Sequence, residues 1–203
     1  TLLHAGIDCV KQPIQVTMAV QNFNGGILID SNGFTGVEGL FAAGEITGGV
    51  HGSDRPGGNN LTDTQVFGCR AGRAAAEYAA TAPAPAEMVP HTELKLDTDE
   101  QERQIIEASE KMYYENLTVV RNREGLQKVL AFTSKYLHPG ISASLYNRLL
   151  LGQIFAAAQL ARKESRGTHY REDYPETSGS WCHRQVFYRG SHGEFVLCAE
   201  NEV

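Results

Sequence analysis

Thirteen of the 21 glycines in this 203-residue chain fall between Gly25 and Gly72. Glycine is favoured where the backbone must take a positive φ or approach another group closely, so this segment is built from turns and tight contacts. Residues 13 to 80 read as strand, turn, strand, loop and helix. Gly25 to Asp30 is a short branched apolar run, and Ser31-Asn32-Gly33 follows as a turn. Leu40 to Ala43 is a second apolar run, buried-strand in character. A loop then covers Ile46 to Asn59. The spacing predicts a helix from near Asn60 to about Ala80, capped by Asn59 or Asn60, with Asp63 in a first turn where the macrodipole favours negative charge. Small residues at Gly68, Ala71, Gly72, Ala74, Ala75 and Ala76 predict close packing of that helix on a sheet.

The rest of the chain reads differently. Thr81 to Pro90 holds three prolines among alanines, which no regular helix tolerates, and marks a linker. Thr98 to Asn116, Glu124 to Leu137 and Ser144 to Lys163 carry helical apolar spacing, and His138-Pro139-Gly140 stops the second. Helices of this length suit an up-down bundle. In the tail, Gln185 to Tyr188 and Glu194 to Leu197 read as strands around Gly190 to Gly193. The expected organisation is therefore residues 1–80, a linker at 81–97, a helical bundle at 98–165 and a tail at 166–203.

Composition narrows the function classes. Hydrophobic residues are 41% and charged residues 21% of the chain, ordinary for a globular protein with a real core. The formal charge of -6 leaves no basic face for a sequence-independent nucleic-acid binder. The longest apolar stretch, Leu149 to Ala161, is too short to span a bilayer. The chain opens with Thr1 and lacks a basic segment ahead of an apolar one, so no signal peptide is expected. Cys9, Cys69, Cys182 and Cys198 form no CxxC pair, and reduced thiols in a cytoplasmic setting are the expectation. Cys182, His183, His192 and Cys198 match no common metal spacing, and no metal site is expected.

A strand, Gly44-Glu45, a Gly-rich loop and a helix start make a plausible nucleotide site, because N–H groups and the helix dipole favour an anion or an electron-rich ring edge. On spacing alone a tight structural crossover fits as well. The residues themselves are more specific. Gly39-Leu40-Phe41-Ala42-Ala43-Gly44-Glu45, then His51-Gly52-Ser53-Asp54-Arg55-Pro56-Gly57-Gly58-Asn59-Asn60-Leu61, then Val66-Phe67-Gly68 resemble the GLYAAGE, HGxNRLGGNxL and VFG motifs of the succinate dehydrogenase, fumarate reductase and L-aspartate oxidase flavoproteins. Val120 to Leu126 resembles a helix junction of that family. Ser165 to Pro175 resembles its SRGxHxREDYP signature, and Trp181-Cys182-His183 falls where its tail begins. The resemblance runs in order along nearly the whole chain.

That resemblance implies an α/β fold: the C-terminal part of a Rossmann-like FAD-binding domain, then a three-helix bundle and an irregular tail. It implies FAD as cofactor and an oxidoreductase that moves a hydride between a carboxylate substrate and flavin while an arginine transfers a proton. That arginine, the capping domain and the GxGxxG pyrophosphate loop are absent from this sequence. They would belong to a missing N-terminal FAD and capping segment, in a cleaved chain or a flavoprotein encoded in pieces. Electrons would pass to a quinone, to oxygen or to an iron–sulfur subunit, in the cytoplasm or peripherally on a membrane complex. The same frame serves an L-aspartate oxidase-like activity. A chain that folds without flavin as a non-catalytic helical interaction module is the reading from a different class.

The resemblance also assigns residues. Glu45 would accept from FAD hydroxyls; otherwise it is a solvated loop residue. Asn60 and Leu61 would direct backbone donors at the flavin ring, which is compatible with Asn60 capping the helix. Arg55 would clamp a substrate carboxylate; its alternative is a surface arginine paired with Asp54. His51 either lines the substrate site or braces the loop. Two positions depart from the family: Gln21 stands where a substrate-binding histidine is usual, and Asp54 replaces asparagine beside the clamp. Neither favours a second anion. Arg166, His169, Arg171 and Asp173 read as a structural signature that packs the tail.

Overall fold

The computed structural model describes residues 2–14, 16–17, 20–83, 95–190 and 195–200. Two short parallel strands, β1 (Ile27–Leu28) and β2 (Thr47–Gly48), pair in register and precede the long helix α1 (Asn59–Thr81). Next come α2 (Glu100–Asn116), β3 (Val120–Arg121), α3 (Arg123–Tyr136) and α4 (Ala143–Ala161). The tail contributes β4 (Tyr170–Arg171), parallel to β3, and an antiparallel hairpin of β5 (Gln185–Arg189) and β6 (Phe195–Ala199).

The three bundle helices start where side chains can replace the missing intrahelical partners. Asp99 accepts from the Glu102 N–H, Asn122 from the Gly125 N–H, and Ser142 from the Leu145 N–H. Glu102 is itself buried, and its Oε1 accepts from Lys95 Nζ at 2.8 Å and from the Ser142 N–H at 3.0 Å. One carboxylate thus joins the start of α2 to the start of α4. Lys95 also accepts the Ala143 N–H through its carbonyl, so the end of the expected linker is tied to the bundle. Residues 84–94 of that linker lie outside the described residues.

The core sits between the bundle helices. α3 packs on α4, and Leu126 and Val129 of α3 and Leu145, Leu149 and Ala156 of α4 are all fully buried. Gly152 of α4 lets α2 approach closely, because a Cβ there would collide with the Tyr113 hydroxyl and ring. Tyr113 donates from that hydroxyl to Arg148 O at 3.1 Å, and burial pushes its pKa up to about 12.

The glycine-rich half differs from the sequence expectation. Leu40–Ala43 is not a strand: only Phe41 bridges to Phe34, and Leu40 is exposed. Of Gly25–Asp30 only Ile27–Leu28 is in a ladder. Asn59 and Asn60 do not cap α1; the cap is Gly58 in the left-handed region, with no side-chain bond. Asp63 lies one turn in and is buried against His51. Of the small residues on α1 only Ala71 is buried, while Gly68 and Gly72 are exposed. The missing strands and the exposed helix share one physical reason. A two-residue ladder of two strands offers no sheet face for α1 to cover, so Leu40, Ile46 and Leu61 remain at least half exposed. Among the described residues no helix is long and apolar enough to cross a membrane.

Leu149→Ala is expected to destabilise the bundle by about 2–5 kcal/mol, read by urea denaturation, because it empties a fully buried site. Hydrogen exchange should be slower at Leu149–Leu160 than at Gly44–Asn59. Equal protection in both segments would contradict this packing account.

Candidate functional site

A small cleft of about 70 Å³ opens at the start of α1, lined by Phe23, Glu45, Thr47, His51, Arg55, Asn60, Asp63 and Thr64. Four of the five expected site residues therefore meet in one place. β2 places Thr47, whose hydroxyl donates to Gly44 O at 2.7 Å and closes the turn that carries Glu45. Glu45 is exposed, and its Oε1 accepts the Phe23 N–H at 3.3 Å. Phe23 also stacks on Phe155 of α4, centroids 5.4 Å apart and planes 12° apart, which links the cleft to the bundle.

Arg55 is half-buried and makes no hydrogen bond or ion pair among the described residues. In particular it does not pair with Asp54, so its guanidinium keeps its donors available to the cleft. His51 lines the cleft, and its Nε2 stands 3.3 Å from Asp63 Oδ2, which ties the loop to α1. The Asp63 side chain is almost fully buried, and its Oδ1 has no partner among the described residues. The Asn60 N–H is also unpartnered among the described residues, because α1 has no side-chain cap. Leu61 stands apart: it is 68% exposed, does not line the cleft, and its N–H is taken by Gly58 O at 3.1 Å. Gln21 is exposed and outside the lining.

Sequence reasoning missed Phe23, Thr47, Asp63 and Thr64 as cleft residues. For Asp63 a signal existed: an acid three residues beyond Asn60 shares the cleft side of the helix start. Phe23 carried no local signal, since its place depends on Phe155, far along the chain.

The tail signature lies beside this site. Thr168 Oγ1 donates to Ser53 O at 2.9 Å, and Arg184 Nη1 to Gly49 O at 3.0 Å. Its foundation is a buried charge cluster at the end of α4. Arg171, 1% exposed, donates to the carbonyls of Gln159, Leu160 and Arg162 and forks onto Asp173. Glu164, fully buried, accepts from Arg162, from Arg166 and from the Ser178 N–H. Burial alone would raise the Glu164 pKa. The Arg166 and Arg162 guanidiniums with the Ser178 N–H outweigh it and hold the group at about 2. Burial, with Arg121, Arg162 and Arg171 nearby, pushes His169 down to about 4, so its ring is neutral at pH 7.

The residues fit one side of a flavin nucleotide. The cleft offers a free backbone donor at a helix start and a carboxylate acceptor at Glu45, which suit a ring edge and sugar hydroxyls. No GxGxxG is present to hold a pyrophosphate, and about 70 Å³ is far below the volume of a dinucleotide pocket.

Residues 2–61 match the family model for the FAD binding domain, and residues 141–201 match that for the fumarate reductase flavoprotein C-terminus. The matching polypeptide of the fumarate reductase (CoM/CoB) of Methanothermobacter marburgensis is 32% identical over 96% of this chain and 40% of its own length. An L-aspartate oxidase of Rhodospirillum rubrum is 34% identical over 89% of this chain and 65% of its own length. The solved E. coli quinol fumarate reductase superposes with a TM-score of 0.78 at 28% identity, covering 97% of this chain and 39% of that one. The chain belongs to the succinate dehydrogenase, fumarate reductase and L-aspartate oxidase flavoprotein family, whose cofactor is FAD. It spans about two fifths of the length of the first curated relatives it matches.

Glu164 makes the fold acid-sensitive in a defined window. Its folded pKa lies below the ordinary carboxylate value, so its stabilisation is full above about pH 4.5 and is lost as pH falls toward 2. Glu164→Gln is expected to cost about 3–5 kcal/mol at pH 7 and to flatten the stability profile between pH 4.5 and 2. Denaturant titrations across that range measure both.

Proposed function

We propose that this chain is the part of an FAD-dependent oxidoreductase that clamps a carboxylate substrate beside the flavin. The observation that carries the reading is Arg55: a half-buried guanidinium with no partner among the described residues, facing a cleft lined by Glu45, His51 and Asn60. FAD, when bound, supplies two-electron redox chemistry at its ring. This chain's residues bind and orient. Glu45 accepts from cofactor hydroxyls, and the free Asn60 N–H faces the ring edge. Arg55 holds two carboxylate oxygens in a fixed plane, and His51, anchored by Asp63, keeps the loop in place. The proton-transferring arginine that the family resemblance implies is not in this sequence.

The architecture supports the finer reading of residues 1–80 as the end of a Rossmann-like FAD-binding domain, residues 98–165 as a helical bundle and residues 166–203 as a tail. An electron-accepting partner, whether a quinone or an iron–sulfur protein, fits the same reading. In its favour, one structural neighbour is a quinol–fumarate reductase solved with menaquinol molecules, with a TM-score of 0.79. An L-aspartate oxidase-like activity is the second reading, favoured by the 34% identity to the Rhodospirillum rubrum enzyme. Fumarate reduction against L-aspartate oxidation in the complete flavoprotein separates the two.

Arg55→Lys in the complete flavoprotein should lower kcat/KM roughly ten- to a hundredfold, the loss of one charge-assisted contact worth about 1.5–3 kcal/mol. Melting temperature and flavin content should match the parent. Full activity in the lysine variant would remove the clamp assignment. The 203-residue chain alone is expected to bind FAD weakly, since it lacks the pyrophosphate loop. Equilibrium dialysis decides this, and tight stoichiometric binding would contradict it.

A further inference from the structure

The loop that presents Arg55 is gripped by parts of the chain outside the cleft. Arg184, just ahead of β5, donates from Nη1 to Gly49 O at 3.0 Å. Glu200, just after β6, holds that guanidinium, with Nε to Oε2 at 2.6 Å and Nη2 to Oε1. The Glu200 N–H bonds Arg184 O at 3.0 Å, so the β5–β6 hairpin itself closes the ion pair. Gly49 has φ +97, a backbone conformation that calls for glycine at this contact. Thr168 Oγ1 donates to Ser53 O at 2.9 Å on the other side. Between them His51 meets Asp63 at 3.3 Å. The loop is thus tied at positions 49, 51 and 53. Arg55, two residues on, is left without a side-chain bond among the described residues.

A guanidinium clamp selects a carboxylate only if its own plane is held. A loop with Gly49, Gly52 and Gly58 all at positive φ has little stiffness of its own, so its order must come from outside. We propose that Arg184 is a positioning residue for the substrate carboxylate. Through Gly49 it fixes the loop, and through the loop it fixes where the Arg55 guanidinium stands. Thr168 does the same from the far end. This inference rests on the reading of Arg55 as the carboxylate clamp. Arg184 is about half exposed, so its removal leaves the bundle core untouched.

The test uses the complete flavoprotein with Arg184→Met and Arg55→Lys, singly and together. Malonate is the probe; its two carboxylates flank a single methylene, which leaves no pair of adjacent hydrogen-bearing carbons to dehydrogenate. Its affinity is read by calorimetry beside kcat/KM with fumarate and with L-aspartate. Arg184→Met is expected to weaken malonate binding and kcat/KM about three- to tenfold, and to add nothing once Arg55 is lysine. Arg184→Lys, which keeps one donor for Gly49 O, should recover most of the loss. Thr168→Val removes only a hydroxyl at the far end, and should lower malonate affinity about two- to threefold even if the Arg184 variants fold poorly. Unchanged malonate affinity in Arg184→Met and Thr168→Val, with Arg55→Lys impaired, overturns the inference alone. An equal loss with and without Arg55 does the same. No malonate binding by the parent, or an unaffected Arg55→Lys, removes the clamp reading itself and the inference with it.

Discussion

Arg171 is the interaction on which the two halves depend. A helix leaves its last carbonyls unpaired, and a charge buried without partners is costly. Here each problem solves the other. The buried guanidinium fills the carbonyls of Gln159, Leu160 and Arg162 at the end of α4, and its remaining donors fork onto Asp173. Asp173 also accepts the Arg123 N–H at the start of α3, so one ion pair joins two helices to the tail. With Glu164 bound between Arg162 and Arg166, the chain after α4 is held in one path. That path delivers Thr168 to Ser53 and Arg184 to Gly49.

The two halves are stabilised by different means. The bundle has a fully buried apolar core and side-chain caps at its helix starts. The glycine-rich half has a two-residue ladder, a long helix with only Asp63 and Ala71 buried, and several exposed apolar side chains. Its order comes from the contacts it makes with the tail and α4, among them the Phe23–Phe155 stack. A cleft built on such a segment takes its precision from elsewhere in the molecule.

Helix positions were legible from sequence because their signals are local. The 3.6-residue apolar spacing, the Asp99, Asn122 and Ser142 caps and the stop at His138-Pro139-Gly140 lie within the elements they define. The cleft was legible at Glu45, His51, Arg55 and Asn60 through motif resemblance rather than periodicity. The strands of the glycine-rich half were overread, because apolar runs such as Leu40–Ala43 signal burial, and burial needs a neighbour. The cap of α1 was misread for a related reason. Asn59 and Asn60 have the right chemistry, but Gly58 in the left-handed region turns the chain so that neither side chain reaches back.

The sequence by itself determined the bundle helices, the turn-rich character of residues 25–72 and the identity of the charged groups near the cleft. Each follows from spacing within one short segment or from residue chemistry. Only the tertiary structure decided that Arg55 stands unpaired among the described residues while Asp63 takes His51, and that Arg184 reaches Gly49 across 135 positions of chain. Pairings of this kind depend on where α4 ends and how Arg171 and Glu164 direct the chain beyond it. No local pattern encodes that distance, because it is set by the packing of helices against one another.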